Sequence, residues 1–495
     1  MTGNTSSISI ATPYDQKPEL ADVGRLGRRL MHKAVQTARG DESPLSRVLA
    51  DHLGAAASGV PVLSGTWEPY DHVNLQIGLE AWLAGPGRRH ELIGITGFRH
   101  RDFGLADLVH GGEDAHGLRI GNVSTVALPA GPDGCTRACV RCGLYLVSDG
   151  DARAALLLRS PDQHSPVSEL TLEVATADTG LADRIIAEVR ELALEHNVYR
   201  GQVISFGNEM FGHHRGGALS FLGRPRIPRD HVILDPGLLA GIERQVLGVQ
   251  RHSGRLRASG QHLKRGVLLY GVPGTGKTHT VRYLIGEMRQ ATVVVLTGGA
   301  LELIRPACSV ARLLQPSVIV VEDVDLIAEQ RGPRMGQHPL LFQLLNEMDG
   351  LGADVDVTFL LTTNRADMLE EALAARPGRV DHAAELPVPD AGARHRLVQL
   401  YQGRLRLDLA DPDIVISRTE GVTASFLKEL LRKAALFAAE DDAGPDDDGH
   451  DGDDAPLRVT DAHMGAALDT LLDTRNQLTR ALLGGQSRRE TSAPA

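Results

Sequence analysis

The chain has 495 residues, of which 42% are hydrophobic and 23% are charged, a composition typical of an ordinary folded protein with about three domains. The formal net charge of −11 looks large, but residues 440–454 alone contribute nine acidic side chains and no Lys or Arg. The rest of the chain is therefore nearly neutral, which argues against nucleic acid or an anionic membrane as its main partner.

No segment of the sequence indicates export or insertion into a membrane. The first twenty residues have neither a basic start nor an apolar core, so they do not read as a signal peptide. The longest apolar runs, such as Val318–Val321, are far shorter than the ~20 residues that span a bilayer. The four cysteines are too few for a disulfide framework in a chain of this length. We therefore expect a cytoplasmic protein.

Residues 1–221 mix short helical and strand-like patterns without an internal repeat, which predicts a separate α+β domain. Residues 222–230 contain two prolines and no apolar periodicity, which predicts a linker. The clearest patterns before the linker are a helical start at Leu20–Leu53, strands at Glu91–Thr96, Ser124–Leu128 and Leu144–Val147, and a helix at Leu181–His196.

Three of the four cysteines form a CxxxCxxC cluster at Cys135, Cys139 and Cys142. This spacing occurs in radical-SAM iron–sulfur sites, but Arg141 stands where those sites usually have an aromatic residue. A tetrahedral zinc site would need a fourth ligand, which a histidine could supply. The interpretation that we favour is three ordinary reduced cysteines at the entry to a strand. The candidate histidines for the zinc alternative are His110, His116 and His164.

A buried-strand pattern at Val267–Tyr270 leads into GVPGTGKT at Gly271–Thr278 and then into a helical stretch, His279–Met288. This is a GxxxxGK[ST] phosphate loop in the context it requires, with a strand before it and a helix after it. Its glycines let backbone N–H groups surround phosphates, and the helix N-terminus adds partial positive charge. Lys277 would contact the β- and γ-phosphates of a nucleotide, and the Thr278 hydroxyl would bind Mg²⁺. The predicted nucleotide-binding residues are Gly271, Pro273, Gly274, Thr275, Gly276, Lys277, Thr278 and His279.

A group of carboxylates follows the apolar strand at Ser317–Val321, where the sequence reads Glu322-Asp323-Val324-Asp325. Ligands of open α/β sheets bind at the carboxyl ends of the strands, so Glu322 and Asp323 are expected to face the phosphates. One of them would hold the metal and the other would activate water. The alternation of strands and helices through Pro389 predicts a parallel sheet with helices on both faces.

These motifs, with four further segments, resemble the AAA branch of the AAA+ ATPases, which includes the proteasomal and FtsH-like proteins. The resemblance covers about half of the chain, from Val232 to Leu483. The HExxH motif of the FtsH-like zinc proteases does not occur in the sequence, so we expect an ATPase without a protease domain. The further segments are LLNEMDGL at Leu344–Leu351, FLLTTNR at Phe359–Arg365, ALAARPGRVD at Ala372–Asp381 and GVTASFLKELLRKAA at Gly421–Ala435.

The resemblance implies how the second half of the chain is divided. It implies a P-loop NTPase domain at residues 231–389 and a small helical lid at residues 390–483. The acidic insert of the lid, residues 440–454, is expected to be a solvated loop, and residues 484–495 a disordered tail.

The resemblance also implies site residues and partners. Asn364 would lie beside the γ-phosphate and the attacking water of ATP. Arg376 and Arg379 would be arginine fingers that reach the ATP of a neighbouring subunit. The chain would therefore assemble with itself into a ring, usually a hexamer, and its N-terminal domain would bind an unidentified protein client or adaptor.

Two departures from the family pattern bear on function. The family usually has Asp-Glu at the end of the strand that here is Ser317–Val321, whereas this chain has Glu-Asp. By register, Glu322 takes the Mg²⁺ position and Asp323 the position of the catalytic base, which predicts a working but slow ATPase. The aromatic loop that grips polypeptide in the family's central pore is also missing, and its nearest counterpart is Leu303-Ile304-Arg305.

The leading hypothesis is an AAA ATPase ring that hydrolyses ATP to remodel, unfold or disassemble protein complexes. The alternative is a nucleotide-gated assembly scaffold, or switch, in which slow hydrolysis is only a timer. A DNA or RNA motor is disfavoured by the near-neutral charge and by the lack of a basic patch interleaved with aromatic residues.

Overall fold

The computed structural model describes residues 43–54, 59–98, 102–110, 117–161, 169–207, 218–325, 339–350, 352, 355–365, 380–442 and 456–472. The chain forms two compact units. The first contains residues 1–66, 83–125 and 140–188, and the second contains residues 67–82, 126–139 and 189–495. Within the described ranges, no helix combines the length and the apolar content needed to cross a membrane.

The strands are numbered in chain order: β1 Val62–Trp67, β2 Arg88–Thr96, β3 Arg119–Gly121, β4 Ser124–Pro129, β5 Thr136–Asp149, β6 Ala152–Arg159, β7 Leu170–Thr176, β8 Val203–Gly207, β9 Ala218–Leu222, β10 Arg265–Tyr270, β11 Thr292–Leu296, β12 Ser317–Val321, β13 Val357–Thr363, β14 His382–Glu385, β15 Arg406–Asp408 and β16 Arg458–Thr460. The α-helices are α1 Pro44–Leu53, α2 His72–Leu83, α3 Leu105–His110, α4 Thr179–Glu195, α5 Pro236–Glu243, α6 Val249–Arg251, α7 Ser253–Ala258, α8 Lys277–Glu287, α9 Ile304–Leu313, α10 Pro339–Asp349, α11 Ala391–Gln402, α12 Pro412–Arg418, α13 Ala424–Asp442 and α14 Asp461–Leu472.

The first unit is built on an antiparallel sheet in which the strands follow the order β1-β7-β6-β5-β2-β3. Leu144 pairs with Ile93 on one side and with Leu157 on the other, so apolar side chains line up across the sheet. One apolar cluster joins these strands to α1 and α3 through the fully buried side chains of Leu45 and Leu105. This arrangement agrees with the α+β architecture predicted for the N-terminal region.

The second unit contains a seven-stranded sheet in the order β14-β10-β13-β12-β11-β8-β9. Its first six strands pair in parallel, with β10 between β13 and β14, and β9 closes the edge antiparallel to β8. The central strands β12 and β13 are buried at every residue, as expected for a sheet that is covered on both faces. Two apolar clusters cover the faces, one with α9 and α10 and the other with α5 and α8. The predicted P-loop type of α/β sheet is confirmed.

The boundary between the two regions differs from the one predicted at residues 221/222. Strands β8 and β9 come from the predicted N-terminal domain, yet β8 pairs with β11 through the register Val293↔Val203. The side chains of Ile204 and Phe206 are buried in the cluster that contains α9. The sequence pattern of a short strand indicates how deeply the strand is buried, but tertiary packing decides which sheet it joins.

The predicted linker has no regular structure at residues 223–228, but it is anchored to the sheet unit. The Arg224 guanidinium donates four hydrogen bonds of 2.8–2.9 Å to backbone carbonyls at the end of α8 and beside it. Gly286 allows close contact here, because a Cβ at that position would lie 2.6 Å from the Pro225 carbonyl oxygen. The segment therefore packs against the helix that follows the phosphate loop. The four acceptors are the carbonyls of Ile285, Met288, Gly201 and Ala291.

The last part of the chain is a small helical subdomain, as predicted. Helices α11, α12, α13 and α14 pack around one apolar cluster, and the short strands β15 and β16 pair in parallel beside them. Helix α13 continues through the first three residues of the acidic insert, Glu440–Asp442. The remainder of the insert, residues 443–454, and the predicted tail, residues 484–495, lie outside the described residues.

Candidate functional site

The phosphate loop connects β10 to α8 at the carboxyl edge of the parallel sheet. Gly276 adopts φ +100° immediately before the helix, and Gly274 adopts φ +84°, a backbone region that favours glycine. A Cβ on Gly271 would lie 2.4 Å from the Leu386 carbonyl oxygen, so this position also requires glycine. The three glycines of the motif are therefore needed for the path of the loop, and the loop leads directly into the N-terminus of α8.

Lys277 begins α8, and its side chain is buried against the loop. Its Nζ donates to the carbonyl oxygens of Gly271 at 2.8 Å and Val272 at 3.1 Å. Burial lowers the pKa of the ammonium group, and the nearby carboxylates of Asp323 and Asp325 oppose that shift. The lysine is thus a cation whose hydrogen-bond partners are neutral carbonyls, and a phosphate could replace them.

Thr278 and Glu322, the two predicted metal ligands, lie together. Burial and the Asp323 charge raise the pKa of the Glu322 carboxyl, and the neighbouring Thr278 hydroxyl opposes that shift. No three His, Cys, Asp or Glu side chains converge to form a complete metal cage in the described ranges. A hydroxyl and one carboxylate fit Mg²⁺, which is usually bound by one or two protein oxygens together with water and the phosphates of a substrate.

Asp323 and Asn364 also lie together, at the ends of the neighbouring strands β12 and β13. Asn364 Nδ2 donates to Asp323 Oδ1 at 3.1 Å. The Asp323 backbone has φ +51°, a left-handed conformation, and its N–H donates to Thr362 Oγ1 at 3.1 Å. The arrangement places a carboxylate and a carboxamide at one edge of the sheet, where they could both contact a water molecule beside a phosphate.

Asp325 belongs to the same group, although sequence reasoning gave it no role. Its side chain is 8% exposed, and its Oδ1 accepts hydrogen bonds from Thr363 Oγ1 at 2.9 Å and from the Asn364 backbone N–H at 3.2 Å. The sequence feature that could have indicated a role for Asp325 is Thr362-Thr363, a pair of hydroxyl residues at the end of an apolar strand.

The helical subdomain reaches the phosphate loop at the N-terminus of α13. The Ser425 backbone N–H donates to the Gly274 carbonyl oxygen at 3.2 Å. A Cβ on Gly274 would lie 2.8 Å from Thr423 Oγ1, and Thr423 is fully buried. The Thr423-Ala424-Ser425 segment is therefore in direct contact with the loop.

His279, in the first turn of α8, was predicted to contact the nucleotide. Its Nε2 forms a hydrogen bond of 3.1 Å with the carbonyl oxygen of His231, a residue just before α5. Burial lowers the pKa of the imidazole. The ring thus joins the start of the phosphate-loop helix to the segment between β9 and α5.

The predicted pore segment does not project from the molecule. Ile304 is 2% exposed in the apolar cluster of α9, and Leu303 packs against the same cluster. The Arg305 guanidinium lies 3.5 Å from the Glu347 carboxylate on α10. Ile304 is therefore a core residue and Leu303 is only partly exposed, so contact of this segment with a threaded polypeptide stays a prediction.

The three clustered cysteines do not share one site. Cys139 and Cys142 are three residues apart on β5, so their side chains point to opposite faces of the strand and join different apolar clusters. Burial raises the pKa of the Cys139 thiol to about 11 and that of Cys142 to about 12. Cys135 is exposed. This geometry fits ordinary reduced cysteines. Two of the predicted zinc partners, His116 and His164, lie outside the described residues.

The predicted arginine fingers, Arg376 and Arg379, also lie outside the described residues. The other catalytic and nucleotide-binding residues predicted from the sequence converge at the carboxyl edge of one sheet. A glycine-rich loop with its lysine, a neighbouring hydroxyl–carboxylate pair and a parallel sheet define the class of P-loop nucleotide-hydrolysing proteins.

Comparisons with known proteins narrow this class. Residues 267–388 match the profile of the family described as "ATPase family associated with various cellular activities (AAA)". The chain therefore contains an AAA-family ATPase module, as the sequence motifs predicted. The match includes the phosphate loop, the carboxylates after β12 and Asn364.

Two curated relatives are ATP-dependent zinc metalloproteases. FtsH 2 of Symbiobacterium thermophilum is 34% identical over 209 residues, which are 39% of this chain and 35% of the relative. FtsH of Thermus thermophilus is 29% identical over 212 residues, 40% of this chain and 34% of the relative. A crystal structure of the FIGL-1 AAA domain in complex with ADP is 22% identical, with a TM-score of 0.42, and the match covers 53% of this chain and 92% of that domain. The chain thus spans about a third of the length of the curated relatives that it matches.

Proposed function

We propose that this chain hydrolyses ATP with Mg²⁺ at the carboxyl edge of the parallel sheet, and that it uses the energy to remodel protein assemblies. The observation that carries the ATPase proposal is the presence of two adjacent pairs, Thr278 with Glu322 and Asn364 with Asp323, beside the phosphate loop. The first pair supplies oxygens for a metal, and the second supplies a base next to an amide donor.

In the proposed reaction, Lys277 exchanges its two carbonyl partners for the β- and γ-phosphate oxygens of ATP. Thr278 and Glu322 hold Mg²⁺, which when bound supplies positive charge to the phosphates. Asp323 takes a proton from the attacking water, and the Asn364 carboxamide orients that water and the γ-phosphate. His279 and the loop glycines hold the rest of the nucleotide.

The finer part of the proposal concerns assembly. The chain forms a homo-oligomeric ring, a hexamer by analogy with the family, in which Arg376 and Arg379 contact the ATP of the next subunit. The proposal requires a ring because each arginine finger belongs to the neighbouring subunit, from which it stabilises the charge on the transferred phosphoryl group. The N-terminal unit selects the protein client or adaptor. The AAA family match and the sequence motifs support this part.

A second candidate function is supported by the burial of Ile304 in the core and by the packing of Leu303 against it. Without a pore segment that contacts polypeptide, the chain would act as a nucleotide-gated scaffold or switch. ATP would then control the recruitment of partners, and hydrolysis at the short Asp323 base would serve as a slow timer.

Steady-state ATP turnover of the purified full-length protein tests these proposals, with oligomer mass measured with and without ATP. We expect wild type to turn over, Asp323→Asn and Arg379→Ala to lose activity while still binding ATP, and ATP to promote ring formation. If wild type binds ATP and assembles but hardly hydrolyses, the remodelling proposal is replaced by the switch. If it does not bind ATP, both are wrong.

A further inference from the structure

Asp325 is a buried carboxylate for which the proposed reaction has no direct use. It lies two residues beyond Asp323 and does not face solvent, since it is 8% exposed. A carboxylate in such a place is costly unless hydrogen bonds satisfy it. Among the described residues, its hydrogen bonds come from the end of β13 and the residue after it, one from the Thr363 hydroxyl at 2.9 Å and one from the Asn364 backbone N–H at 3.2 Å.

Asn364 is therefore held at two points. Its backbone N–H is bound to Asp325, and its side-chain Nδ2 donates to Asp323 Oδ1 at 3.1 Å. The two carboxylates belong to one segment after β12, while the asparagine follows β13. The direction of the Asn364 carboxamide is thus fixed by a backbone bond on one side and by the proposed base on the other.

Neighbouring contacts strengthen this connection between the strand ends. Thr363, which is fully buried, also accepts the Arg365 backbone N–H at 3.0 Å and so shapes the chain just after Asn364. The Asp323 backbone N–H donates to Thr362 Oγ1 at 3.1 Å. Asp325 is the carboxylate at the centre of this set of bonds.

We propose that Asp325 is a positioning residue for ATP hydrolysis, which holds the Asn364 backbone so that the carboxamide reaches Asp323 and the water. The inference rests on the proposed ATPase function. Both donors to Asp325 are neutral groups, so the role needs an acceptor oxygen. The competing role is electrostatic, because the Asp325 charge also raises the pKa of the Lys277 ammonium group against the lowering effect of burial.

Two substitutions separate these roles. Asp325→Asn keeps an acceptor oxygen at Oδ1 and removes the charge, whereas Asp325→Ala removes both. The matched control is Asp356→Ala, which removes another buried carboxylate next to β13, at the opposite end of the strand, where it lies 3.8 Å from Arg265. This control reports the effect of lost stability on turnover without a change near Asn364.

The first measurement is kcat and KM for ATP with binding of a fluorescent ATP analogue, using the folded fraction of each full-length protein. We expect Asp325→Ala to lower kcat roughly 10- to 100-fold, as a displaced catalytic group does, while nucleotide affinity stays within a few-fold of wild type. Asp325→Asn should keep most of the wild-type kcat, and the kcat of Asp356→Ala should equal that of wild type. If Asp325→Asn is as slow as Asp325→Ala, the positioning role is overturned in favour of the charge.

A second measurement does not depend on turnover. Hydrogen–deuterium exchange over residues 357–365 should be faster in Asp325→Ala and unchanged in Asp325→Asn, because only the first loses the acceptor of the Asn364 N–H. Unchanged exchange in Asp325→Ala would overturn the proposal. If wild type failed to hydrolyse ATP, the proposed function would fail, and the exchange data would still decide whether Asp325 holds Asn364.

Discussion

The two ends of the parallel sheet both contain buried charges, but the charges have different partners. At the carboxyl edge, Lys277 bonds to backbone carbonyls, Asp323 bonds to a carboxamide, and Glu322 lies beside the Thr278 hydroxyl. These partners are neutral, so a phosphate or a metal can replace them without leaving an unpaired charge in the protein. This edge is arranged to accept a charged ligand.

At the amino edge of the sheet the charges face each other. The Arg265 guanidinium at the start of β10 is 6% exposed and lies 3.8 Å from the Asp356 carboxylate. Burial lowers the pKa of Arg265 to about 10, and the charges of Asp356 and Asp381 oppose that shift. Asp381 also accepts the Gly266 backbone N–H at 2.9 Å. The opposite charges at this edge neutralise each other, so they contribute to stability and are not free to bind a ligand.

Replacing Lys277 should give the largest effect and would show whether the carboxyl edge binds the ligand. We expect Lys277→Met to weaken ATP binding roughly 100-fold or more, because a buried charge–charge contact with the phosphates is lost. The free energy of unfolding should change little, since the hydrogen bonds that the described part of the chain offers to Lys277 are to carbonyl oxygens. Binding of a fluorescent ATP analogue and urea unfolding measure the two quantities. Normal ATP affinity in this variant would refute the ligand assignment.

Replacing Arg265 provides the converse test at the amino edge. We expect Arg265→Met to lower the free energy of unfolding by about 3–5 kcal/mol, because the Asp356 carboxylate is left buried without its partner. The double variant Arg265→Met/Asp356→Asn should lose less than the sum of the single variants, since it removes both charges. ATP affinity of the folded protein should match wild type. A large loss of affinity would mean that the two edges are not independent.

Ile304 tests whether the segment after β11 belongs to the core or to a binding surface. Truncation of a fully packed isoleucine leaves a cavity, so Ile304→Ala should lower the free energy of unfolding by about 2–5 kcal/mol. The exposed Arg305, next to it, is the matched control, and Arg305→Ala should change the free energy of unfolding by less than about 1 kcal/mol. Chemical unfolding measures both. If Ile304→Ala left stability unchanged but abolished client processing, the pore interpretation would return.

The parts of the site that were predictable from the sequence are those encoded locally. The phosphate loop needs glycines at fixed spacing, and the carboxylates and Asn364 each follow an apolar strand, so their positions at one edge follow from the parallel sheet. The pairing of β8 with β11 was not predictable, because a short apolar strand does not specify its neighbour. The role of Asp325 was hidden for a related reason, since it depends on contacts between residues 38 and 39 positions apart.

Exchanging the Glu-Asp order after β12 should give the smallest effect, but it is the most discriminating test of the carboxyl edge. Asp323 has φ +51°, a conformation that Asp adopts more readily than Glu, and its Oδ1 lies 3.1 Å from Asn364 Nδ2. Glu at this position would move the carboxylate by about 1.5 Å, one C–C bond, and would strain the backbone. The exchanged pair Glu322→Asp/Asp323→Glu should therefore turn over ATP about tenfold more slowly than wild type, with nucleotide affinity retained.

Steady-state turnover of this variant and of the two single substitutions measures the effect. Glu322→Asp alone should weaken Mg²⁺ binding, because the shorter side chain withdraws from Thr278. Asp323→Glu alone should lower kcat. Faster turnover in the exchanged pair would mean that the backbone at residue 323 adapts to Glu, and that the natural order serves to slow hydrolysis. That result would favour the switch over the remodelling enzyme, because a residue that slows ATP hydrolysis suits a timer and not a motor.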